Sequence, residues 1–320
     1  MGSDGRWAMD PELAAAATML EAINPDDLDG HRETLRRVHA SQVDRWMSDM
    51  VVIEDITPGP AGSPPVALRT YRPLGAPPEA PTLLWLHGGA FAVGFAAVDD
   101  DFCVRVAAAA GYFVVSPEYR LAPEDPFPAG FSDCLAAYEW VVEYSTAVGA
   151  DRGCLVVGGT SAGAGLAASL CLKLRDIGAH QPVLQLLACP VVDDRLATPS
   201  MVEYRSTPVF DRYQAELMWR RYLRSWKEEV PPYAAAGRAR DLRGLPAAYV
   251  QTAEYDPLRD EGLDYARRLV DAGTAVELHL YPRTFHSFDM VVPTAAVSRR
   301  AFQEYLDVLR AVAARNAARV

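Results

Sequence analysis

From Val51 onward, short apolar runs alternate with longer stretches of helical periodicity. Val51 to Ile56 and Val66 to Tyr71 alternate apolar and polar positions, as half-buried strands do. Six further runs follow: Thr82 to Leu86, Tyr112 to Ser116, Cys154 to Val157, Val183 to Ala188, Ala247 to Thr252 and Val276 to Tyr281. Some, such as Leu83-Leu84-Trp85-Leu86, are apolar at every position, which suits a strand covered by helices on both faces. Strands alternating with helices predict an α/β fold, an eight-stranded and mostly parallel sheet flanked by helices.

Two helices are expected ahead of the sheet. Asp10-Pro11 reads as an N-cap followed by proline at the first helical position, and Asn24-Pro25 as a stop. A second helix is expected from Arg32 to Met50, with Leu35, Val38, Gln42 and Trp46 along one face. Between Val191 and Tyr233 the strand rhythm breaks, and a helix after Asp211 carries Met218, Tyr222 and Trp226 at helical spacing. The implied organisation is an N-terminal helical part, residues 1–50, contributing to a cap. A domain over 51–320 follows, with a cap insertion at about 195–235. An amphipathic helix from Val297 to Ala314 comes last.

Composition narrows the partners. The 42 acidic residues exceed the 31 basic ones, giving a net charge of −11, the wrong sign for a chain that binds by neutralising phosphates. Nucleic acid is therefore not an expected partner. The 5 cysteines are odd in number and show no C-x-x-C spacing, which predicts reduced core thiols. No apolar run reaches the roughly 18 residues a membrane span needs, and no secretory signal is visible, so no membrane insertion and a cytoplasmic location are expected.

Two glycine-rich turns carry candidate chemistry. Gly159-Thr160-Ser161-Ala162-Gly163 follows the run Cys154 to Val157 and opens a small-residue helix, the context of a G-x-S-x-G nucleophile elbow. A sharp strand-to-helix turn strains the central serine, and the glycines let strand and helix approach without Cβ clashes. His87-Gly88-Gly89-Ala90 follows Thr82 to Leu86, where a hydrolase of this kind draws its oxyanion donors. The oxyanion candidates are Gly88, Gly89, Ala90 and Ala162, with the amides of Gly89, Ala90 and Ala162 converging on the developing charge. His87 is expected to brace the loop.

A serine nucleophile needs a base, and the base needs a carboxylate. Of the six histidines, His31 and His39 fall in the N-terminal helices, His180 in a connection and His279 inside a strand. His286 lies just past the last strand, at the carboxyl end where parallel sheets gather their sites. The carboxylate should follow the run Ala247 to Thr252; Asp256 is the first choice, with Glu254 and Asp260 as rivals. The order Ser161, Asp256, His286 is the α/β-hydrolase order.

At these positions the chain resembles the bacterial hormone-sensitive-lipase-like carboxylesterases, also called family IV, of the α/β-hydrolase superfamily. The resemblance spans Val66 onward and rests on His87-Gly88-Gly89-Ala90, Tyr119-Arg120-Leu121-Ala122-Pro123-Glu124 with Phe127-Pro128-Ala129, Gly159 to Gly163, Asp256 to Gly262 and the loop around His286. It implies the triad Ser161, Asp256 and His286, a cap from the N-terminal helices and the later insertion, and short- to medium-chain acyl esters as substrates. It also suggests a homodimer through the last strand and the C-terminal helix. Thr160 places the chain with the GTSAG branch. Ala90 stands where the family has glycine; it keeps its amide, and negative φ is expected there, since positive φ costs an alanine about 1 to 2 kcal/mol. Glu118 and Asp125 depart from the family's usual residues and are expected to be structural.

The implied reaction is acyl transfer. Ser161 attacks an ester carbonyl, His286 moves the proton to the leaving alcohol, and water deacylates the enzyme, without cofactor or metal. Phe91, Trp219 and Trp226 are candidates to line the substrate pocket. Amide hydrolysis is the near alternative; a ligand receptor with a degraded triad is the distant one, and the presence of His286 speaks against it.

Overall fold

The computed structural model describes residues 8–18, 26–42, 48–59, 62, 64–224 and 226–318. Eight strands form one sheet: β1 (Val51–Ile56), β2 (Leu68–Pro73), β3 (Ala80–Leu86), β4 (Phe113–Pro117), β5 (Ala150–Thr160), β6 (Leu184–Ala188), β7 (Ala247–Tyr255) and β8 (Val276–Phe285). Their spatial order is β1-β2-β4-β3-β5-β6-β7-β8. β1 and β2 pair antiparallel with their neighbours, and β3 to β8 run parallel.

Period-two alternation decides which helices the sheet can hold. Leu84, Leu86, Val157, Leu187 and Val250 point into one core. Their neighbours Leu83, Trp85, Val156, Leu186 and Tyr249 point into the other. Both sets are buried, so both faces need cover.

Eleven α-helices among the described residues complete the chain. α1 (Pro11–Ala17) and α2 (Leu28–Ala40) precede the sheet; α3 (Asp100–Ala110), α4 (Ala129–Glu143), α5 (Ser145–Val148) and α6 (Ala162–Asp176) connect its first half. α7 (Pro199–Glu203) and α8 (Arg212–Tyr222) fill the expected insertion, and α9 (Arg259–Asp271), α10 (Phe288–Val291) and α11 (Ala296–Ala317) follow. Helices α4, α6 and α9 cover one face through Ala137, Leu166, Leu170 and Leu269. Helices α3 and α11 cover the other through Phe102, Val106, Tyr305 and Leu309.

The expected start at Asp10-Pro11 is present: Asp10 caps α1 by accepting from the Glu12 amide at 2.9 Å. α1 ends at Ala17, and the expected stop at Asn24-Pro25 lies outside the described residues. The second helix needs correction. It runs Leu28–Ala40, not Arg32 to Met50, and ends in a turn at Ser41 and Gln42. Residues 43–47, Trp46 included, lie outside the described residues. The expected apolar face does not hold it down, because none of its residues is buried and Val38 is exposed. Polar contacts tie it instead: Arg32 to Glu124, and His39 Nε2 to the buried Asp100 at 3.0 Å.

In the insertion, Asp211 and Gln214 form a capping box that starts α8. Tyr213 of α8 donates to the Asp26 carboxylate at 3.0 Å, and partial burial, with the charge of Arg221 nearby, lowers the pKa of His31 in α2. The N-terminal helices and the insertion thus meet. The five cysteines are all buried and unpaired. No helix among the described residues is long and apolar enough to cross a membrane.

The tightest backbone approach is at the start of α6. A Cβ on Gly163 would lie 1.9 Å from the Leu86 carbonyl oxygen, and one on Gly159 would lie 2.5 Å from that same atom. Gly163→Ala should therefore lower the unfolding free energy by at least about 2 kcal/mol, measured by denaturant titration; an unchanged midpoint would mean that the strand and helix are free to separate.

Candidate active site

Ser161, Asp256 and His286 follow directly on β5, β7 and β8, so three carboxyl ends of the parallel sheet deliver the three side chains to one point. His286 Nε2 lies 2.9 Å from Ser161 Oγ, and His286 Nδ1 lies 2.8 Å from Asp256 Oδ2. All three residues are buried. Asp256 Oδ1 also accepts from the Leu258 amide at 2.9 Å, which fixes the carboxylate plane. The rivals are engaged elsewhere. Glu254 accepts from the Arg283 amide, and Asp260 accepts from the Ser200 amide and from Arg259.

Ser161 has φ 56° and ψ −119°, the strained turn that the flanking glycines predict. Several backbone bonds hold it. Its amide donates to Ala188 O at 2.8 Å, and its carbonyl accepts from Gly165 and Val191. The loop carrying Val191 is held in turn by buried Glu261, whose carboxylate accepts from the amides of Val192 at 2.7 Å and Asp193 at 3.1 Å. Glu261 lies within the Asp256 to Gly262 motif, but its partners are main-chain atoms, so the sequence does not show this role.

Behind the triad, Cys189 Sγ, an Asp256 oxygen and a His286 ring nitrogen lie within 4.8 Å of one another. Among the described residues this is the one group of three His, Cys, Asp or Glu close enough to share an ion. Burial pushes the Cys189 thiol up in pKa, with Asp256 and Asp289 adding to it, so the sulfur stays protonated. Phe210, from the insertion, packs its ring 4.9 Å from that of His286.

The candidate oxyanion loop is Gly88, Gly89 and Ala90, opposite Ala162 at the first turn of α6, where helix amides lack intrahelical partners. The expectation for Ala90 is overturned: its φ is 54°, following 120° at Gly89 and preceding 56° at Phe91. The reason is a left-handed turn in which Gly89 O accepts from both Ala92 N at 2.9 Å and Val93 N at 2.8 Å. Gly89 at φ 120° opens the turn in the left-handed region, and Ala90 and Phe91 continue it.

His87 braces this loop. Its ring stacks on Tyr119 at 4.1 Å, its Nδ1 donates to Gly88 O at 2.7 Å, and burial lowers its pKa to about 4, so it stays neutral. Asp99 lies beneath, accepting from Trp85 Nε1 at 2.8 Å, with the Gly88 backbone facing it. Burial raises the Asp99 carboxyl to about 7. Glu118 is structural, accepting from the Ala96 amide at 2.6 Å.

Of the three pocket candidates, Phe91 stacks on Tyr222 at 3.9 Å and meets Trp219 at 5.8 Å, while Trp226 packs against Phe127 at 5.1 Å. They belong to one aromatic cluster beginning immediately after Ala90. Two cavities of about 250 and 260 Å³ lie elsewhere, one lined by Asp193, Arg195 and Glu261, the other by Asp55, Arg69 and Glu118.

Three comparisons bear on this geometry. A family model for the alpha/beta hydrolase fold matches residues 83–290. The chain is 35% identical over 315 residues to Esterase LipI of Mycobacterium tuberculosis, covering 97% of each, and 39% identical over 253 residues to Carboxylesterase NlhH of the same species, covering 76% of this chain and 78% of the other. The solved structure named Bacterial Heroin Esterase superposes with a TM-score of 0.90 at 44% identity, over 95% of this chain and 98% of that one.

Because Asp99 titrates near 7 when folded and near 4 when unfolded, the folded state binds the extra proton between those values. Its contribution to stability falls as pH rises through that window and is flat above it. Asp99→Asn should remove this slope. If the stability difference between wild type and variant is constant from pH 4 to 8, the carboxyl is not raised.

Proposed function

This chain belongs to the hormone-sensitive-lipase-like, family IV branch of the α/β-hydrolase fold, and we propose that it is a serine carboxylesterase acting on short- to medium-chain acyl esters. The observation that carries this reading is the relay from Ser161 through His286 to Asp256, at 2.9 and 2.8 Å, on a serine held at φ 56°. Ser161 is the nucleophile. His286 takes its proton and returns it to the departing alcohol, and Asp256 holds the imidazole with Nε2 free to accept. The amides of Gly89, Ala90 and Ala162 stabilise the oxyanion, with Gly88 setting the approach of the loop. Water then attacks the acyl-enzyme by the same route in reverse.

In this reading residues 1–50 and the insertion at about 195–235 form the cap; the Tyr213 to Asp26 bond and the placement of Phe210 on His286 support it. Phe91, Trp219 and Trp226 form the wall of the acyl or alcohol pocket. The buried, unpaired thiols support a reducing compartment, the cytoplasm.

The reading also includes a homodimer. β8 is an edge strand with Leu278 and Leu280 exposed, and Val270 of α9 is exposed as well.

Hydrolysis of p-nitrophenyl esters from acetate to palmitate should peak at short chains and fall at least about 10⁴-fold in Ser161→Ala. Activity surviving in a folded Ser161→Ala protein would remove the serine mechanism. Light scattering should give twice the chain mass for wild type and the single mass for Leu278→Arg with Leu280→Arg. A wild-type monomer ends the dimer reading.

A further inference from the structure

The oxyanion turn is strained, and something outside it must hold it. Two of its residues carrying a Cβ, Ala90 at φ 54° and Phe91 at φ 56°, occupy the left-handed region that a side chain disfavours. Upstream, His87 and Asp99 secure Gly88. Downstream, the Phe91 carbonyl accepts from Ala122 N at 2.8 Å. The next carbonyl, Ala92 O, accepts from a side chain 60 residues earlier in the chain, Arg32 Nε, at 2.9 Å.

Arg32 does more than cap that carbonyl. Its Nη2 donates to Ala122 O at 3.2 Å, so one guanidinium spans both segments that meet at the end of the turn. Nη1 and Nη2 make a two-pronged pair with Glu124 at 2.9 and 2.8 Å, which fixes the plane of the fork. The side chain is only 16% exposed. It projects from α2, a helix none of whose residues is buried, so the polar anchors are what dock this helix on the domain.

We propose that Arg32 is a positioning residue for ester hydrolysis: the guanidinium locks the Gly89 to Ala92 turn in its oxyanion-binding shape, and docking of α2 is thereby part of completing the active site. The inference rests on the esterase reading above. Arg32 touches neither substrate nor reacting atoms; it acts through Ala92. The amides it positions matter most where negative charge develops, so its loss should appear in kcat far more than in KM.

The test uses the full chain, with wild type, Ser161→Ala, Arg32→Ala, Arg32→Lys and Glu124→Gln assayed on p-nitrophenyl acetate. In parallel the inhibition constant of a trifluoromethyl ketone is measured, because its serine adduct places an oxyanion in the same site. Arg32→Ala should lose at least about tenfold in kcat with KM within about threefold, and bind the ketone weaker by a similar factor. Arg32→Lys should stay impaired, since one ammonium cannot bond both carbonyls while pairing with Glu124. Should Arg32→Ala fail to fold, Arg32→Lys and Glu124→Gln decide. Reduced kcat and weaker ketone binding at wild-type melting temperature support the proposal. A lowered melting temperature with kcat and ketone affinity unchanged overturns it, leaving Arg32 a stability contact. An active wild type with undiminished Arg32 variants defeats this inference alone, whereas a wild type inert to esters defeats the esterase reading and this one with it.

Discussion

The site depends on a steric constraint, the contact between the end of β3 and the first turn of α6. Only hydrogen fits at Gly159 and Gly163, because the Leu86 carbonyl lies where a Cβ would be. That closeness puts the turn after β5 against the loop after β3, and so sets Ser161 beside the Gly88 to Ala90 segment. A wider spacing would leave the serine and the candidate oxyanion amides too far apart to act on one carbonyl, as the proposed mechanism requires. The positive φ of Ser161 follows from the same constraint, since the chain must reverse within one residue between strand and helix.

Around that contact the loops are fastened by buried polar groups bonded to main-chain atoms. His87 and Asp99 hold Gly88, Glu261 holds Val192 and Asp193, and Asp256 holds Leu258. Such groups are costly to bury, and each accepts that cost in return for a fixed loop. Asp99 and Glu261 show the cost directly, their carboxyls raised by burial even while accepting hydrogen bonds. A hydrophobic replacement would pack as well but would leave the loop amides without acceptors.

Much of this was legible in the chain. Runs apolar at every position marked central strands because a two-faced sheet demands them, alternation marked the outer ones, and glycine spacing marked both turns because nothing larger fits. The triad could be read because each member follows a strand whose position was clear. The extent of α2 could not: its pattern suggested an apolar face out to Trp46, while the helix ends at Ala40 and is tied down by Arg32 and His39. Ala90 misled because residue identity gives only the local preference, and the turn closed by Gly89 O overrides it. The roles of Phe210, Asp99, Glu261 and Arg32 were hidden for another reason. Their partners are rings or main-chain atoms distant in sequence, and such pairings leave no periodic trace.

The two ends of the chain are fastened to each other. Asp10 N donates to Arg283 O, the Arg283 side chain donates to the carbonyls of Ala8 and Met9, and Glu12 accepts from Ala296 N, a span of 284 residues. Arg283 lies in β8, three residues before His286. On a ribosome α1 therefore has no docking place until β8 has been made, and the strand that receives it is the one that delivers the general base. The bonds that hold α1 and the strand end that holds the imidazole thus draw on one and the same segment, the end of β8.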